Sequence, residues 1–193
     1  MTDIKIIHVG DLADNAGASA VKLLTDSFSC PQNAEVETFL KQSALDFTRR
    51  SVSVTHLLVS PETRECLGYF TLTHKPFSVK AQSLSNSQRK RMERFSKFDS
   101  DLGVYTVSAV LVAQIGRNFS ASVRATGAEL MAAAFDRITA AIHEIGGQTV
   151  FLECEDGNLK LRQFYEKNGF SSCARRFSKE DGIWYLQMFR FLK

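Results

Sequence analysis

No apolar run in this 193-residue chain approaches the roughly 18 residues that a membrane-crossing helix needs, which argues against a spanning protein. None of the four cysteines, Cys30, Cys66, Cys154 and Cys173, stands in a CxxC pair, and no histidine lies at metal-ligand spacing from them. Reduced, structural thiols are expected, with no metal. The four histidines, His8, His56, His74 and His143, are equally scattered, so neither zinc nor Ser/His/Asp chemistry is signalled and ordinary surface or strand histidines are expected. Repeats, linkers and low-complexity tracts are also missing. The opening Met-Thr-Asp-Ile-Lys has no basic region leading into an apolar stretch, so a secretory signal is not expected and a cytoplasmic location is.

What is present is ordinary for a globular protein: 44% hydrophobic and 23% charged residues in a length suited to one domain spanning 1–193. Net charge is only +3, yet it is unevenly placed, because Lys80, Arg89, Lys90, Arg91, Arg94 and Lys97 face only Glu93 between positions 80 and 97. Such a cluster is either a solvated helix face or an electrostatic footprint for a polyanion such as RNA or a phosphorylated cofactor.

Residues 4–9 contain β-branched Ile4, Ile6, Ile7 and Val9 and end at Gly10, which suits a short strand. A helix is expected over 18–26, and a second from Ala34 to about Arg50, where Val36, Phe39, Leu40, Ala44 and Phe47 follow helical spacing. Residues 52–60 and 66–74 read as a hairpin around Pro61-Glu-Thr-Arg, and 85–98 as a polar surface helix. A mostly apolar strand over 105–115 is expected to be central; a helix over 125–145 follows it, closed by Gly146-Gly147. A strand over 149–154, a helix over 158–168 and a strand pair over 171–177 and 183–191 complete a mixed α/β pattern with one parallel crossover.

Two stretches carry chemistry. The first runs from Leu111-Val-Ala-Gln-Ile-Gly-Arg-Asn118 through Phe119-Ser-Ala-Ser into Val123-Arg-Ala-Thr-Gly127 and an alanine-rich helix. A strand that delivers a small-residue turn to a helix start leaves backbone N–H groups without intrahelical partners at the positive end of the helix dipole, a cradle for phosphate. The second is Asn158-Leu-Lys-Leu-Arg-Gln-Phe-Tyr165-Glu-Lys-Asn-Gly-Phe170, a helix with an aromatic pair closed by Gly-Phe.

In this order the two stretches resemble the Gcn5-related N-acetyltransferase (GNAT) superfamily, whose acetyl-CoA signature is a strand followed by Gln/Arg-x-x-Gly-x-Gly/Ala at a helix start. Ser122-Val-Arg-Ala125-Thr-Gly127 holds the matching positions; Gly127 fits, while Ser122 and Ala125 depart from the preferred types. A narrower resemblance, to the toxin-type branch, covers Phe28-Ser-Cys30, Asn33, Glu37-Thr-Phe-Leu40 and Ala44, then Leu67-Gly-Tyr-Phe-Thr-Leu72. The same residues also suit plain core packing.

The resemblance implies a GNAT fold: a mixed, mostly antiparallel sheet of six to seven strands, about four flanking helices, and a parallel pair splayed to hold acetyl-CoA. It implies that the backbone of Ile115, Gly116 and Arg117 pairs with the pantetheine arm, and that the N–H groups of Val123, Arg124, Ala125, Thr126, Gly127 and Ala128 meet the pyrophosphate. Asn158 joins the expected cofactor-binding set, although its position equally suits a helix N-cap. Glu129, in the first helical turn, must turn away from the phosphates or be offset by Arg124. Tyr165 is the implied catalytic acid for the leaving thiolate, and strand N–H groups are the oxyanion donors. Free tyrosine has a pKa of about 10 against about 8.5 for a thiol, so hydrogen-bond donation suits Tyr165 better than full transfer. Glu153, Glu155 and Asp156 are candidate bases acting through water, or residues that cap the next helix. Without a strong base an α-amine, pKa about 8, is the favoured acceptor over a lysine, pKa about 10.4.

The leading expectation is an acetyl-CoA-dependent N-acetyltransferase acting on the α-amine of aminoacyl-tRNA. Its implied partners are acetyl-CoA, charged tRNA, a small antitoxin and a second copy of the chain in a homodimer, with no membrane. Two alternatives remain: an enzyme for a small-molecule amine or a protein N-terminus, and a non-catalytic acyl-CoA-binding regulatory module.

Overall fold

The computed structural model describes residues 3–192. The first half of the chain forms β1 (Lys5–His8), α1 (Val9–Ala16), α2 (Ala18–Thr25), α3 (Ala34–Gln42), α4 (Ala44–Arg49), β2 (Val54–Val59), β3 (Cys66–Lys80), a 3-10 turn (Ala81–Ser83) and α5 (Asn86–Met92). The second half adds β4 (Phe98–Asp99), β5 (Val104–Arg117), α6 (Gly127–Ile145), β6 (Thr149–Glu155), α7 (Leu159–Lys167), β7 (Ser171–Phe177) and β8 (Trp184–Phe191). The sheet order is β1-β2-β3-β5-β6-β8-β7, with β4 pairing β5 off this path. Strands β5 and β6 pair in parallel, registered Val110↔Val150 and Leu111↔Phe151, while β5 itself continues to Arg117. This is the mixed α/β arrangement the sequence implies.

The structure departs from the sequence reading in identifiable places. The path has seven strands, and β4 is a two-residue addition too short to leave a periodic signal. The described residues form seven α-helices where about four were expected. One is α1, hidden because Gly10 looks like a strand stop; the His8 side chain accepts from Asp11 N–H at 3.1 Å and starts a helix straight after the strand. Another arises because the helix expected from Ala34 to Arg50 is broken at Ser43, whose φ of −118° departs from helical values between α3 and α4. Strand β3 outruns its expected end at His74 through Pro76, because Phe77 and Val79 are buried in strand alternation beyond it.

Two compact units divide the chain. One takes the sequence up to Thr73 together with Val112–Ala141; the other takes His74–Leu111 and the sequence from Ile142 onward. The first is built on a core containing Val9, Phe28, Leu40, Leu57 and Tyr69, into which α1 to α4 turn their apolar faces. The second is built on Phe77, Val79, Met92, Tyr105, Phe151 and Phe189, with Phe77 stacked on Phe151 at 4.5 Å between ring centroids.

Most of the toxin-type pattern lies in the first core or frames it. Phe28, Cys30, Leu40, Ala44, Leu67 and Tyr69 are buried. Asn33 caps α3 by accepting from Val36 N–H, the Glu37 carboxylate accepts from Cys30 N–H at 2.8 Å, and Tyr69 Oη donates to Val36 O at 2.6 Å. These residues hold α3 against β3, the packing role the sequence also allowed.

Candidate functional site

In the first unit the candidate cradle is the segment between β5 and α6, fastened at its start by Asn118. This side chain is only 2% exposed and is almost fully bonded: Oδ1 accepts from Ser29 N–H (3.0 Å) and Ser120 N–H (2.9 Å), and Nδ2 donates to Cys66 O (2.7 Å). Its own N–H donates to Leu67 O at 2.9 Å. Just before it, Gly116 passes so close to α3 that a Cβ there would lie 2.4 Å from Val36 Cγ1. Ile115 is half-buried and Arg117 exposed, its guanidinium 5.2 Å from the Phe119 ring centroid.

Further along, the Ser122 N–H donates to the Glu65 carboxylate at 3.2 Å and the Ser122 hydroxyl bonds the same carboxylate. These bonds, with one from Thr63, hold the Glu65 carboxyl below the usual range. Ala125 is buried, and the non-glycine residues with left-handed backbone among the described residues are Ser51 and Arg64, so position 125 does not demand glycine for its φ. Helix α6 begins with a capping box. Thr126 N–H and Oγ1 donate to Glu129 Oε2 at 2.7 and 2.8 Å, and Thr126 Oγ1 accepts from Glu129 N–H at 3.1 Å. Glu129 therefore does not turn away; it occupies the Thr126 N–H expected for a phosphate. Gly127 and Ala128 open the helix, where N–H groups lack intrahelical acceptors, and Val123 and Arg124 precede them, half-buried and exposed respectively.

In the second unit, α7 presents Tyr165. Asn158 starts this helix as its N-cap, Oδ1 accepting from Leu161 N–H at 3.0 Å, so that side chain is committed to capping. The helix closes at Gly169 with φ +82°, Phe170 N–H returning to Tyr165 O at 3.1 Å. That closure seats Phe170 5.9 Å from the Tyr165 ring centroid and buries both. Burial pushes the Tyr165 phenol well above its ordinary value, and the Cys154 thiol adds to the shift.

The candidate bases beside β6 are mostly spoken for. Burial alone would raise Glu153, but hydrogen bonds from Arg176 (Nε to Oε1, 3.0 Å) and Gln187 (2.7 Å) outweigh it and hold the carboxyl low. Asp156 is paired with Arg175, and Glu155 is exposed. The basic segment is divided too: Arg89 donates to Ala81 O at 2.8 Å, and Arg91 bonds Leu192 O and lies over Phe191, while Lys90, Arg94 and Lys97 stay exposed. All four cysteines are free and buried, burial pushing Cys66 and Cys173 up to about 12 and Cys154 to about 11. They are inert structural thiols.

Sequence reasoning missed Glu65 altogether. Only its place in the β2–β3 turn, opposite a serine 57 residues on, gives it a role. Asn118 was visible inside the opening stretch, but an asparagine after a strand carries no signal of the buried bonds it makes.

No protein-family model matches the chain, and no curated protein does. Solved structures do. AtaT complexed with acetyl-methionyl-tRNAfMet is 20% identical with a TM-score of 0.65, covering 95% of this chain and 94% of that one. A bacterial toxin is 15% identical at a TM-score of 0.68, covering 99% and 92%. A tyrosine-to-phenylalanine mutant of KacT is 20% identical at 0.67, covering 97% and 94%. AtaT has also been solved with the C-terminus of the antitoxin AtaR and acetyl-CoA. Over nearly its whole length, then, the chain has the GNAT-like fold of these proteins.

Proposed function

We propose that the chain is a single acetyltransferase domain that moves acetyl from acetyl-CoA to the α-amine of an aminoacyl-tRNA, a toxin held in check by a small antitoxin in the cytoplasm. The observation that carries this reading is the shared fold with AtaT, captured with acetyl-methionyl-tRNA. Acetyl-CoA brings the acetyl group as a thioester. The backbone of Ile115, Gly116 and Arg117 suits pairing with an extended amide-bearing arm, as an added strand would. The N–H groups of Val123, Arg124, Ala125, Gly127 and Ala128 suit phosphate oxygens, with the exposed Arg117 and Arg124 as the supporting cations. Thr126 and Asn158 are already engaged in caps and are the weakest members of the expected set.

Tyr165 is the acid in this reading. Its raised phenol makes outright proton loss costly, so it acts by donating a hydrogen bond as negative charge grows on sulfur. Glu153 and Asp156 are held in ion pairs, and a site with two of its three candidate bases so committed favours an α-amine, which is already partly neutral near pH 7, over lysine. Incubating the pure protein with acetyl-CoA and charged tRNA should release CoA thiol, and Tyr165→Phe should cut turnover by one to several orders of magnitude without changing CoA affinity. Acetylation of no charged tRNA removes this acceptor.

One observation favours a second reading, an enzyme for a small amine or a protein N-terminus. Arg89 and Arg91 are spent on packing, which thins the basic segment available to RNA. Under that reading, charge reversal at Lys90, Arg94 and Lys97 leaves turnover unchanged.

A further inference from the structure

We propose that Glu65 and Glu129 are internal anions that hold the β5–α6 segment in the absence of ligand and set its affinity for a diphosphate by competing for the same donors. This rests on the acetyl-CoA reading of that segment. Four donors of the segment, the N–H and hydroxyl of Ser122 and the N–H and hydroxyl of Thr126, already point at carboxylates. A carboxylate and a phosphate ask for the same thing, N–H and O–H donors around a small negative group, so these carboxylates stand where phosphate oxygens would otherwise be received. Both are chain-encoded. Glu65 is delivered by a rigid turn: Ser60 N–H donates to Glu65 O at 3.0 Å, Arg64 N–H to Ser60 O at 2.8 Å, and Arg64 adopts φ +58°. Glu129 is delivered by the first turn of α6. Ser122 acquires a purpose as well: its short hydroxyl keeps the Glu65 carboxylate beside its own N–H, a place a longer side chain would fill.

A ligand phosphate must either displace these carboxylates or bind beside two negative charges. Removing the charge while keeping the shape should therefore strengthen binding. Glu65→Gln keeps an acceptor for Ser122, and Glu129→Gln keeps the reach-back bond of the capping box, since glutamine serves at that position. Glu62→Gln removes the same charge from the same turn and is the control for general electrostatics. By calorimetry, Glu65→Gln and Glu129→Gln should each bind CoA about fivefold tighter than the parent, with a parallel gain for inorganic pyrophosphate, while Glu62→Gln changes neither. Hydrogen exchange without ligand should be faster at residues 120–126 in Glu65→Gln. Equal gains in all three variants reduce the effect to net charge and overturn the proposal. Parent binding with no gain in Glu65→Gln or Glu129→Gln overturns the proposal alone. If no form binds CoA or pyrophosphate, the acetyl-CoA reading fails and the proposal falls with it.

Discussion

One buried amide fixes where the segment after β5 begins. Asn118 spends both ends of its side chain on backbone partners from three places in the sequence, Ser29, Cys66 and Ser120. Asn118→Ala strands those groups in a buried site, so urea denaturation should show a loss of about 2–3 kcal/mol, with weaker CoA binding as the segment loosens. Asparagine, aspartate and serine before a helix are common as turn residues, which is why the sequence alone makes this position look replaceable. Tyr165 is the opposite case: its place ahead of Gly169-Phe170 singles it out in the sequence, and the structure adds its burial and its ring contact with Phe170.

At the scale of elements, the glycine of β5 ties the cradle to the helix beneath it. Gly116→Ala would place a methyl 2.4 Å from Val36 Cγ1, and a packed interior answers such overpacking with a loss of about 1–3 kcal/mol. A double-mutant cycle with Val36→Ala should recover much of that loss if the clash is the cause; no recovery would point to the backbone instead. The elements that carry the cradle and Tyr165, β5, α6, β6 and α7, are legible in the sequence because each is long or clearly periodic and ends at glycine or a cap. The N-terminal helices are less so. A helix that starts on the last residue of a strand, as α1 does on His8, has no turn residues to announce it. The break at Ser43 falls within an unbroken apolar rhythm. Strand β3 passes through a proline that usually signals a stop, and β4 is too short for any pattern.

For the molecule as a whole, acid stability should hinge on His56. It is buried against Phe70, 5.1 Å between centroids, beside His8, and its Nδ1 finds no partner. Burial chiefly, then the charges of His8 and Arg137, lower its pKa from 6.5 to about 4, with Asp11 opposing. The folded state therefore keeps His56 neutral between those values while the unfolded chain protonates it. Stability is complete above pH 6.5 and falls as pH drops toward 4, by about 3 kcal/mol in all. Denaturant midpoints measured across that range should show the decline in the parent and a much flatter line in His56→Phe. The division of the chain into two units has a practical edge. The boundary falls at Thr73/His74 inside β3, at Leu111/Val112 inside β5 and at Ala141/Ile142 inside α6. Each unit is assembled from two separate stretches of the sequence, so no single cut in the polypeptide yields either unit intact. A protease that nicks the chain at one of these points severs a strand or a helix, whereas a stop codon removes all that follows it: chain of both units at the first two points, and of the second unit alone at the third.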